Sequence, residues 1–212
     1  MSKERDYKQE SRDEFDRVAR DYDDKSAFYY RLTRWCDDAI IDRIGKAPAF
    51  NRLLDVGCGT GVLLQKLNLC YPNAHLDGVD LSQQMLDIAA QRLPDAVTLK
   101  QGDAENLPYE DAQFDIIVCA SSFHHYPNPT QALKEFRRIL VPNGLLILCD
   151  MALPGLIRWA ANHIVFRLKH SGDVHTYSQR EITELAEKCG FEGVVYKRIS
   201  LCEFMISANA KI

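Results

Sequence analysis

Short apolar runs alternate with amphipathic segments through the middle of the chain, from Arg52 to Asp150. The segments between the runs repeat apolar residues at three- and four-residue spacing, which is typical of helices that cover a sheet. Short, nearly continuous apolar strands alternating with helices indicate βαβ units and a parallel sheet buried on both faces. The runs are "RLLDV" (52–56), "AHLDGVD" (74–80), "AVTLKQGD" (96–103), "FDIIVCAS" (114–121) and "LLILCD" (145–150).

The flanking regions predict further helices and the end of the sheet. Residues 1–50 carry helical spacing, and 151–177 hold one long helical pattern followed by a polar loop. In 178–212, Ser178 and Glu181 form a capping-box pattern, Gly190 ends the helix, and two apolar runs follow. We expect one α/β domain over 1–212 with a doubly wound, Rossmann-like, seven-stranded and mostly parallel sheet. Its parts are a helical cap (1–50), a core (51–150), a lid insertion (151–177) and the last helix and strands (178–212).

Composition and charge narrow the function classes. The chain has 212 residues, of which 46% are hydrophobic, enough for one sizeable core. Its formal charge of −4 argues against nucleic acid or an anionic membrane as the main partner, since both require a concentrated cationic surface. A small-molecule partner is therefore expected.

Cysteine usage and the first residues bear on the compartment. The seven cysteines include no C-x-x-C pair, and Cys119 and Cys149 lie in strand-like runs where a thiol acts as a small hydrophobe. The start "MSKERDYKQESRDEF" is charged and lacks the apolar core of a signal peptide, and no later stretch reaches the length of a membrane span. These features predict a reducing, cytoplasmic location.

A glycine-rich turn in "LLDVGCGTGVLLQKL" (53–67) predicts the ligand site. Glycines between a strand and a helix let the backbone approach a ligand, and the helix N–H groups favour negative charge. A phosphate-binding loop would need Lys and Ser/Thr after Gly61, where Val62 and Leu63 stand. A nicotinamide fingerprint would need its third glycine at Val62; the spacing here, Gly57, Gly59 and Gly61, is G-x-G-x-G.

That spacing, with Asp55 in "LLDVGCGTG", resembles the first motif of class I S-adenosylmethionine-dependent methyltransferases, in particular the branch with the ubiquinone and menaquinone biosynthesis enzymes. Four more segments are similar to that family in order. They are "VDLSQQML", "GDAENLPYEDAQFDIIVCASSFHHYPNP", "EFRRILVPNGLLILCD" and "SQREITELAEKCGF". The resemblance is strong over 50–150 and looser over 178–208.

The resemblance implies S-adenosylmethionine as cofactor, S-adenosylhomocysteine as product, and roles for individual residues. Asp80 would accept bonds from the ribose hydroxyls, although it could instead cap the helix that starts near Ser82. Asp103 would hold the adenine amino group, with the backbone of Ala104 beside it, and Asp55 would orient the turn near the amino-acid end of the cofactor. The remaining predicted cofactor contacts are Tyr22, Gly57, Cys58, Gly59, Gly61, Leu81, Met85 and Ala120.

Candidate catalytic residues are few, because an activated methyl group needs positioning more than covalent help. His124 and His125 follow the fourth strand, at the edge where α/β sheets place active sites, and either could act as a general base, His125 first. The alternative is that one of them packs the loop. Tyr22 could fold over the cofactor, or join Phe15 and Val18 in an apolar stripe packed on the sheet.

Other polar residues are weaker candidates. Arg31 and Arg34 could receive the cofactor carboxylate or form a solvated face. His163, His170 and His175 are spaced too irregularly for a helical metal pair, and no metal is predicted.

The predicted function is methyl transfer to a small-molecule acceptor by in-line displacement at the sulfonium methyl. Two alternatives stay open at this point: a non-catalytic module that binds the same cofactor, and a nicotinamide-dependent oxidoreductase, which Val62 and Asp103 disfavour. The lid is expected to shape the acceptor pocket, but the acceptor and the methylated atom are not identified by the sequence. An exposed lid helix fits either a monomer or a homodimer.

Overall fold

A computed structural model describes the backbone of residues 5–23 and 28–211, and the side chains of these residues except 28–35. The predicted roles of Arg31 and Arg34 lie outside the described side chains. The strands are β1 (Arg52–Val56), β2 (His75–Asp80), β3 (Thr98–Gln101), β4 (Phe114–Ala120), β5 (Leu140–Met151), β6 (Phe191–Arg198) and β7 (Glu203–Ala210). The helices are α1 (Tyr7–Val18), α2 (Phe28–Ile44), α3 (Val62–Cys70), α4 (Gln83–Arg92), α5 (Pro129–Ile139), α6 (Gly155–Ala160), α7 (Phe166–Leu168) and α8 (Gln179–Lys188).

The strands form one seven-stranded sheet in the order β3-β2-β1-β4-β5-β7-β6. Strands β1 to β5 pair in parallel, and β7 is antiparallel to both of its neighbours. The predicted fold class is confirmed. Strand order reverses between β1 and β4, so the loops after these two strands diverge and leave a crevice at the carboxyl edge.

Apolar side chains cover both faces of the sheet, which explains why the central strands are apolar at consecutive positions. One cluster includes Phe114, Phe136 and Phe204, all fully buried. The other includes Ile40 and Leu64 and packs α2 and α3 against the opposite face. A parallel sheet covered in this way buries residues of both parities along each strand.

The N-terminal helices differ in what they contact. Helix α2 packs against β5 and β7, and its Ile40 and Ile44 are buried. Helix α1 instead contacts α4 and the 3₁₀ turn Phe123–His125. In one alternative, Phe15, Val18 and Tyr22 pack as a stripe on the sheet. The structure does not support that alternative, because the main contacts of α1 are with α4 and the Phe123–His125 turn.

The insertion after β5 is helical, as the sequence predicts. Helix α6 continues through a π-helical stretch, Ala161–Val165, into α7, and an extended stretch leads to α8. The capping box of α8 is also present: the Ser178 hydroxyl accepts from the Glu181 amide at 3.2 Å, and the Ser178 amide donates to the Glu181 carboxylate at 2.7 Å. The proposed division into cap, core, lid and tail stays a prediction.

Two cysteines are paired. Cys36 on α2 and Cys149 on β5 form a disulfide, with Cα atoms 5.9 Å apart. The expectation that Cys149 is a free buried thiol is wrong, because the fold brings α2 across β5 at that point. Cys58 and Cys119 are buried free thiols. Within the described residues, no helix is long and apolar enough to span a bilayer.

The loop after α7 passes very close to α1 at Gly172. A Cβ built on Gly172 would lie 2.5 Å from the Ser11 Cα, and φ there is +74°. Any side chain would push the loop away from α1. Gly193 has a similar φ of +62° but nothing within 4 Å of a built Cβ.

We expect Gly172→Ala to destabilise the protein more than Gly193→Ala. Both variants incur left-handed backbone strain, but only the first adds overpacking, on the order of 1–3 kcal/mol. Urea unfolding of the two variants measures the difference. Equal losses of unfolding free energy would show that α1 does not rest on this loop.

Candidate active site

The glycine turn after β1 is fixed by bonds to β2. The Gly57 and Cys58 amides donate to the Val79 carbonyl at 2.8 and 3.1 Å. The Asp80 carboxylate accepts from the Gly59 amide at 2.8 Å and from the Ser82 amide at 2.9 Å. Asp80 therefore joins the turn after β1 to the turn after β2.

The three glycines are required for two different reasons. A Cβ on Gly57 would lie 2.1 Å from the Ser122 Oγ, and one on Gly61 would lie 2.8 Å from Leu93. Only a Cβ on Gly59 would meet nothing within 4 Å, although φ there is +51°. Gly57 and Gly61 thus admit neighbouring protein groups, and Gly59 opens towards a ligand.

A crevice above this turn, the glycine-turn cavity, lies at the carboxyl edge of the sheet and is covered by α1. Its volume is about 80 Å³. Predicted contacts on its wall are Tyr22, Gly57, Gly59, Asp80, Leu81, Met85, Asp103, Ala104, Ala120 and His125. Gly61 lines neither this cavity nor the adjoining one, so the prediction that it contacts the cofactor is not supported by its position.

The adjoining side cavity is acidic. It is lined by Asp55, Cys58 and Asp37 among others. Asp55 is 2% exposed, and its Oδ1 has no hydrogen-bond partner in the described part of the chain. Burial, then the charges of Asp37 and Asp80, raises the pKa of Asp55 well above its ordinary value. An orphaned buried carboxyl is satisfied by a donor or a cation, which fits the ammonium end of S-adenosylmethionine.

At the opposite end of the glycine-turn cavity, Asp103 is already partnered. Its Oδ2 accepts from the Lys8 ammonium at 2.7 Å, and its Oδ1 accepts from the Glu105 amide at 2.9 Å. Lys8 also pairs with the Glu105 carboxylate at 2.6 Å. An adenine amino group held here would share Asp103 with Lys8, which the sequence could not reveal because Lys8 lies 95 residues away.

The segment after α1 is tied to the glycine turn. Asp23 accepts from the Thr60 hydroxyl at 2.8 Å and from Arg92 at 2.5 Å. Arg92 also donates to the Thr60 carbonyl at 2.6 Å. The Ser82 hydroxyl, which caps α4, donates to Asp16 of α1. Polar bonds to two loops therefore hold α1 over the cavity.

A larger outer cavity of about 550 Å³ adjoins the glycine-turn cavity. Its wall is mainly apolar, with Phe15, Val18, Met151, Val165 and Phe166, and it includes the histidine pair and Asp173. Phe15, Tyr22 and His125 line both cavities. Its size and lining are those of a pocket for a small, mostly apolar molecule.

His124 is held in a buried ion pair. Its Nδ1 lies 2.6 Å from the Asp150 Oδ1, its amide donates to the Asp150 Oδ2 at 2.9 Å, and its Nε2 lies 3.6 Å from Asp173. Burial lowers the pKa of His124, but the two carboxylates outweigh it and the net shift is upward. With both ring nitrogens facing carboxylates, His124 supports the loop, and its predicted role as a base is not favoured.

His125 faces the boundary between the two cavities. Its ring packs edge-on against Phe15, with centroids 5.0 Å apart, and lies 4.0 Å from the His124 ring. Its Nδ1 is buried without a hydrogen-bond partner among the described residues. Burial and then the charge of His124 lower the pKa of His125, so its imidazole is neutral and can accept a hydrogen bond.

Several residues on the cavity walls escaped sequence reasoning. Lys8 and Ser11 reach the glycine-turn cavity from α1, and Ser122 and Tyr126, which share a 2.8 Å hydrogen bond, reach it from the loop after β4. The sequence offers one hint of Ser122, the glycine at position 57, which leaves room for a neighbouring side chain. It offers none for the residues of α1, since the sequence of a polar surface helix does not indicate which part of the protein the helix covers.

A family model, described as a methyltransferase domain, matches residues 54–148. The matched range contains the glycine turn, Asp80, Asp103 and the histidine pair.

Curated relatives and a solved structure match most of the chain. A demethylmenaquinone methyltransferase of Thermotoga maritima is 30% identical, over 84% of this chain and 86% of its own. The ubiquinone/menaquinone biosynthesis C-methyltransferase UbiE of Syntrophotalea carbinolica is 32% identical, over 76% and 71%. Haemonchus contortus phosphoethanolamine N-methyltransferase 2, solved with S-adenosyl-L-methionine, is similar in fold, with a TM-score of 0.70, 16% identity, and 92% and 60% coverage.

Replacing Gly59 by Val should abolish S-adenosylmethionine binding, because the side chain would project into the glycine-turn cavity. The matched control is Gly193→Val, which incurs the same kind of backbone strain in open space. Calorimetric titration of both variants measures the affinity. Normal binding by a folded Gly59→Val variant would mean that the turn does not hold the cofactor.

Asp80→Ala should weaken the same binding by about 1–3 kcal/mol through lost hydrogen bonds to the ligand and to the turn. A dissociation constant equal to that of the wild type, measured by the same titration, would remove Asp80 from the site.

His124→Ala should lower the unfolding free energy by roughly 3–5 kcal/mol, since it leaves Asp150 buried and unpaired. The raised pKa of His124 gives the sign of the pH dependence: its charge stabilises the fold below the unfolded pKa, near 6.5, and this part is lost as pH rises through the folded pKa. Urea unfolding between pH 5 and pH 9, values spanning roughly the titration range of a histidine, measures it. His170→Ala, at a 73% exposed side chain, is the control and should change little.

Proposed function

The chain belongs to the class I S-adenosylmethionine-dependent methyltransferases, on the branch with the ubiquinone and menaquinone biosynthesis enzymes, and we propose that its acceptor is a quinol-type ring compound bound in the outer cavity. The enzyme transfers a methyl group from S-adenosylmethionine to a small molecule and releases S-adenosylhomocysteine. This family membership sets aside the nicotinamide alternative.

The observation that carries the proposal is the position of His125, on the wall that the two cavities share. A group bound in the outer cavity and a cofactor bound above the glycine turn would both reach this imidazole. Most of the wall area is apolar, with Met151 and Phe166, and this part would hold a ring. Charged residues also line the cavity: Glu14, Arg17, Asp21, Lys169 and Asp173. One relative is named for methylation of demethylmenaquinone and another for ubiquinone and menaquinone biosynthesis. These names support a quinone-type ring.

The assignment of residues to the cofactor follows the same reasoning. Gly59 and Asp80 would hold its ribose end, Asp103 and Ala104 its adenine, and Asp55 its ammonium end. Tyr22 would cover it from the segment after α1. When bound, the cofactor supplies a sulfonium-activated methyl group.

His125 would act on the acceptor hydroxyl. The neutral imidazole would accept the hydroxyl hydrogen bond through Nε2, which would fix the acceptor ring and increase electron density on the adjacent carbon. Because its pKa is lowered, His125 holds a full proton poorly, so it orients the acceptor more than it deprotonates it. Asp173, 4.0 Å from the buried Nδ1, would favour the tautomer with its proton on Nδ1 and leave Nε2 as the acceptor.

The compartment and assembly remain proposals of the same kind. We retain a cytoplasmic location and a monomeric or homodimeric state as predictions.

The direct test is turnover. Purified protein is incubated with S-adenosylmethionine and a short-chain 2-unsubstituted naphthoquinol, and S-adenosylhomocysteine is measured by mass spectrometry together with the methylated ring. We expect stoichiometric formation of both. Cofactor binding without turnover on quinols, phenols or amines would favour the non-catalytic alternative.

Variants of His125 separate orientation from proton removal. Gln keeps an acceptor near the position of the imidazole Nε2 but cannot take a proton, and Ala removes both. We expect His125→Ala to lower kcat/KM about 100-fold and His125→Gln to retain most of it. Equal losses in the two variants would indicate proton removal instead.

The pH profile gives an independent reading. Since the pKa of His125 is lowered, its neutral form persists in acid, and kcat/KM should not fall as pH decreases through 6.5. An acid limb near 6.5 that disappears in His125→Gln would contradict this.

A further inference from the structure

The insertion between Leu156 and Leu168 exposes an unusual amount of apolar surface. Of the nine large hydrophobic side chains exposed in the described part of the chain, six lie here. They are Leu156 (87%), Ile157 (59%), Trp159 (56%), Ile164 (46%), Val165 (48%) and Leu168 (75%). The other three are scattered over α3, β6 and the turn before β7. Clustered apolar exposure of this kind marks an interaction surface.

The charge of the same segment is one-sided. Residues 151–172 contain no Asp or Glu, whereas Arg158, Arg167 and Lys169 are cationic. Two of them lie near acidic residues outside the segment: Arg158 is 4.0 Å from Glu181 and Lys169 is 3.9 Å from Asp173. Whole-chain charge, −4, conceals this local excess. The argument from net charge against an anionic membrane therefore does not hold for this segment.

The surface is continuous with the outer cavity. Val165, Phe166 and Lys169 line that cavity, and Val165 and Lys169 are also exposed to solvent. A molecule leaving an apolar phase against this segment would enter the cavity without crossing bulk water.

We propose that the segment Leu156–Leu168, with Arg158, Arg167 and Lys169, is a docking surface for an anionic lipid bilayer, in which it lies parallel to the membrane plane beside the mouth of the outer cavity. Exposed leucine, isoleucine and tryptophan side chains enter the headgroup boundary, and basic side chains pair with lipid phosphates. The inference deepens the proposed function, since a quinol with a prenyl tail resides in the bilayer.

Charge favours a bilayer over a second copy of the chain. In a two-fold symmetric dimer this face would meet itself and bring Arg158, Arg167 and Lys169 near their own counterparts, while the acidic residues nearest to two of them, Glu181 and Asp173, lie outside the segment. Anionic headgroups supply that compensation.

The first experiment is sedimentation of the protein with sucrose-loaded vesicles, without acceptor or cofactor. Vesicles of phosphatidylcholine are compared with vesicles in which a third of the lipid is phosphatidylglycerol. We expect binding to the anionic vesicles that weakens with added salt. No binding to either vesicle overturns the proposal.

Matched variants locate the surface. Leu156→Glu should weaken vesicle binding at least ten-fold, and Leu69→Glu, at a leucine 77% exposed on α3, should not. Arg167→Gln should weaken it about five-fold, and Arg180→Gln, 86% exposed on α8, should not. Equal effects in each pair would show adsorption of the whole protein and overturn the proposal.

Two further measurements separate the remaining outcomes. Sedimentation velocity of the wild type and of Leu156→Glu tests the second-copy alternative. A wild-type dimer that Leu156→Glu converts to a monomer, together with no vesicle binding, would assign the surface to self-association. Turnover of a tail-free quinol in solution is unaffected by Leu156→Glu if only docking is lost. Loss of vesicle binding with intact turnover, or the reverse, therefore distinguishes failure of this inference from failure of the proposed function.

Discussion

The site depends on one carboxylate, that of Asp80. By accepting from the amides of Gly59 and Ser82, it holds the turn after β1 against the start of α4, and residues of both segments line the glycine-turn cavity. Burial raises the pKa of Asp80, while the bonds from Ser82 and Gly59 oppose that shift. The alternative that Asp80 caps α4 is wrong, because the N-cap is Ser82, whose hydroxyl accepts from the Met85 amide. Asp80 instead holds the turn that lines the glycine-turn cavity.

The sequence was sufficient to predict the sheet, because the pattern that identifies each strand lies within the strand and its nearest neighbours along the chain. Apolar runs, glycine turns and the Ser178 capping box depend on neighbours within a few residues, and those predictions were confirmed. It was insufficient where a partner lies far along the chain. The Lys8 bond to Asp103 and the Cys36–Cys149 disulfide join residues 95 and 113 positions apart.

The histidine pair shows the same limit in the site itself. Adjacent identical residues after β4 give no sequence reason to assign them different roles. Their environments do: His124 lies between the carboxylates of Asp150 and Asp173, whereas His125 lies on the wall of both cavities and has a neutral ring. Likewise, the sequence does not distinguish the glycines at 57, 59 and 61. Among these three, only Gly59 has nothing within 4 Å of a built Cβ.

The glycine-turn cavity is small, and the helix that covers it is joined to the insertion. At about 80 Å³ it is smaller than the roughly 300–1,000 Å³ of ordinary ligand pockets, because α1 lies across it. Arg5 fastens the start of α1 to the end of α7 by donating to the Phe166 and Lys169 carbonyls at 2.9 and 2.6 Å. Arg5 therefore joins the helix that covers the glycine-turn cavity to the insertion that lines the outer cavity, so a displacement of α1 is transmitted to the wall of the outer cavity.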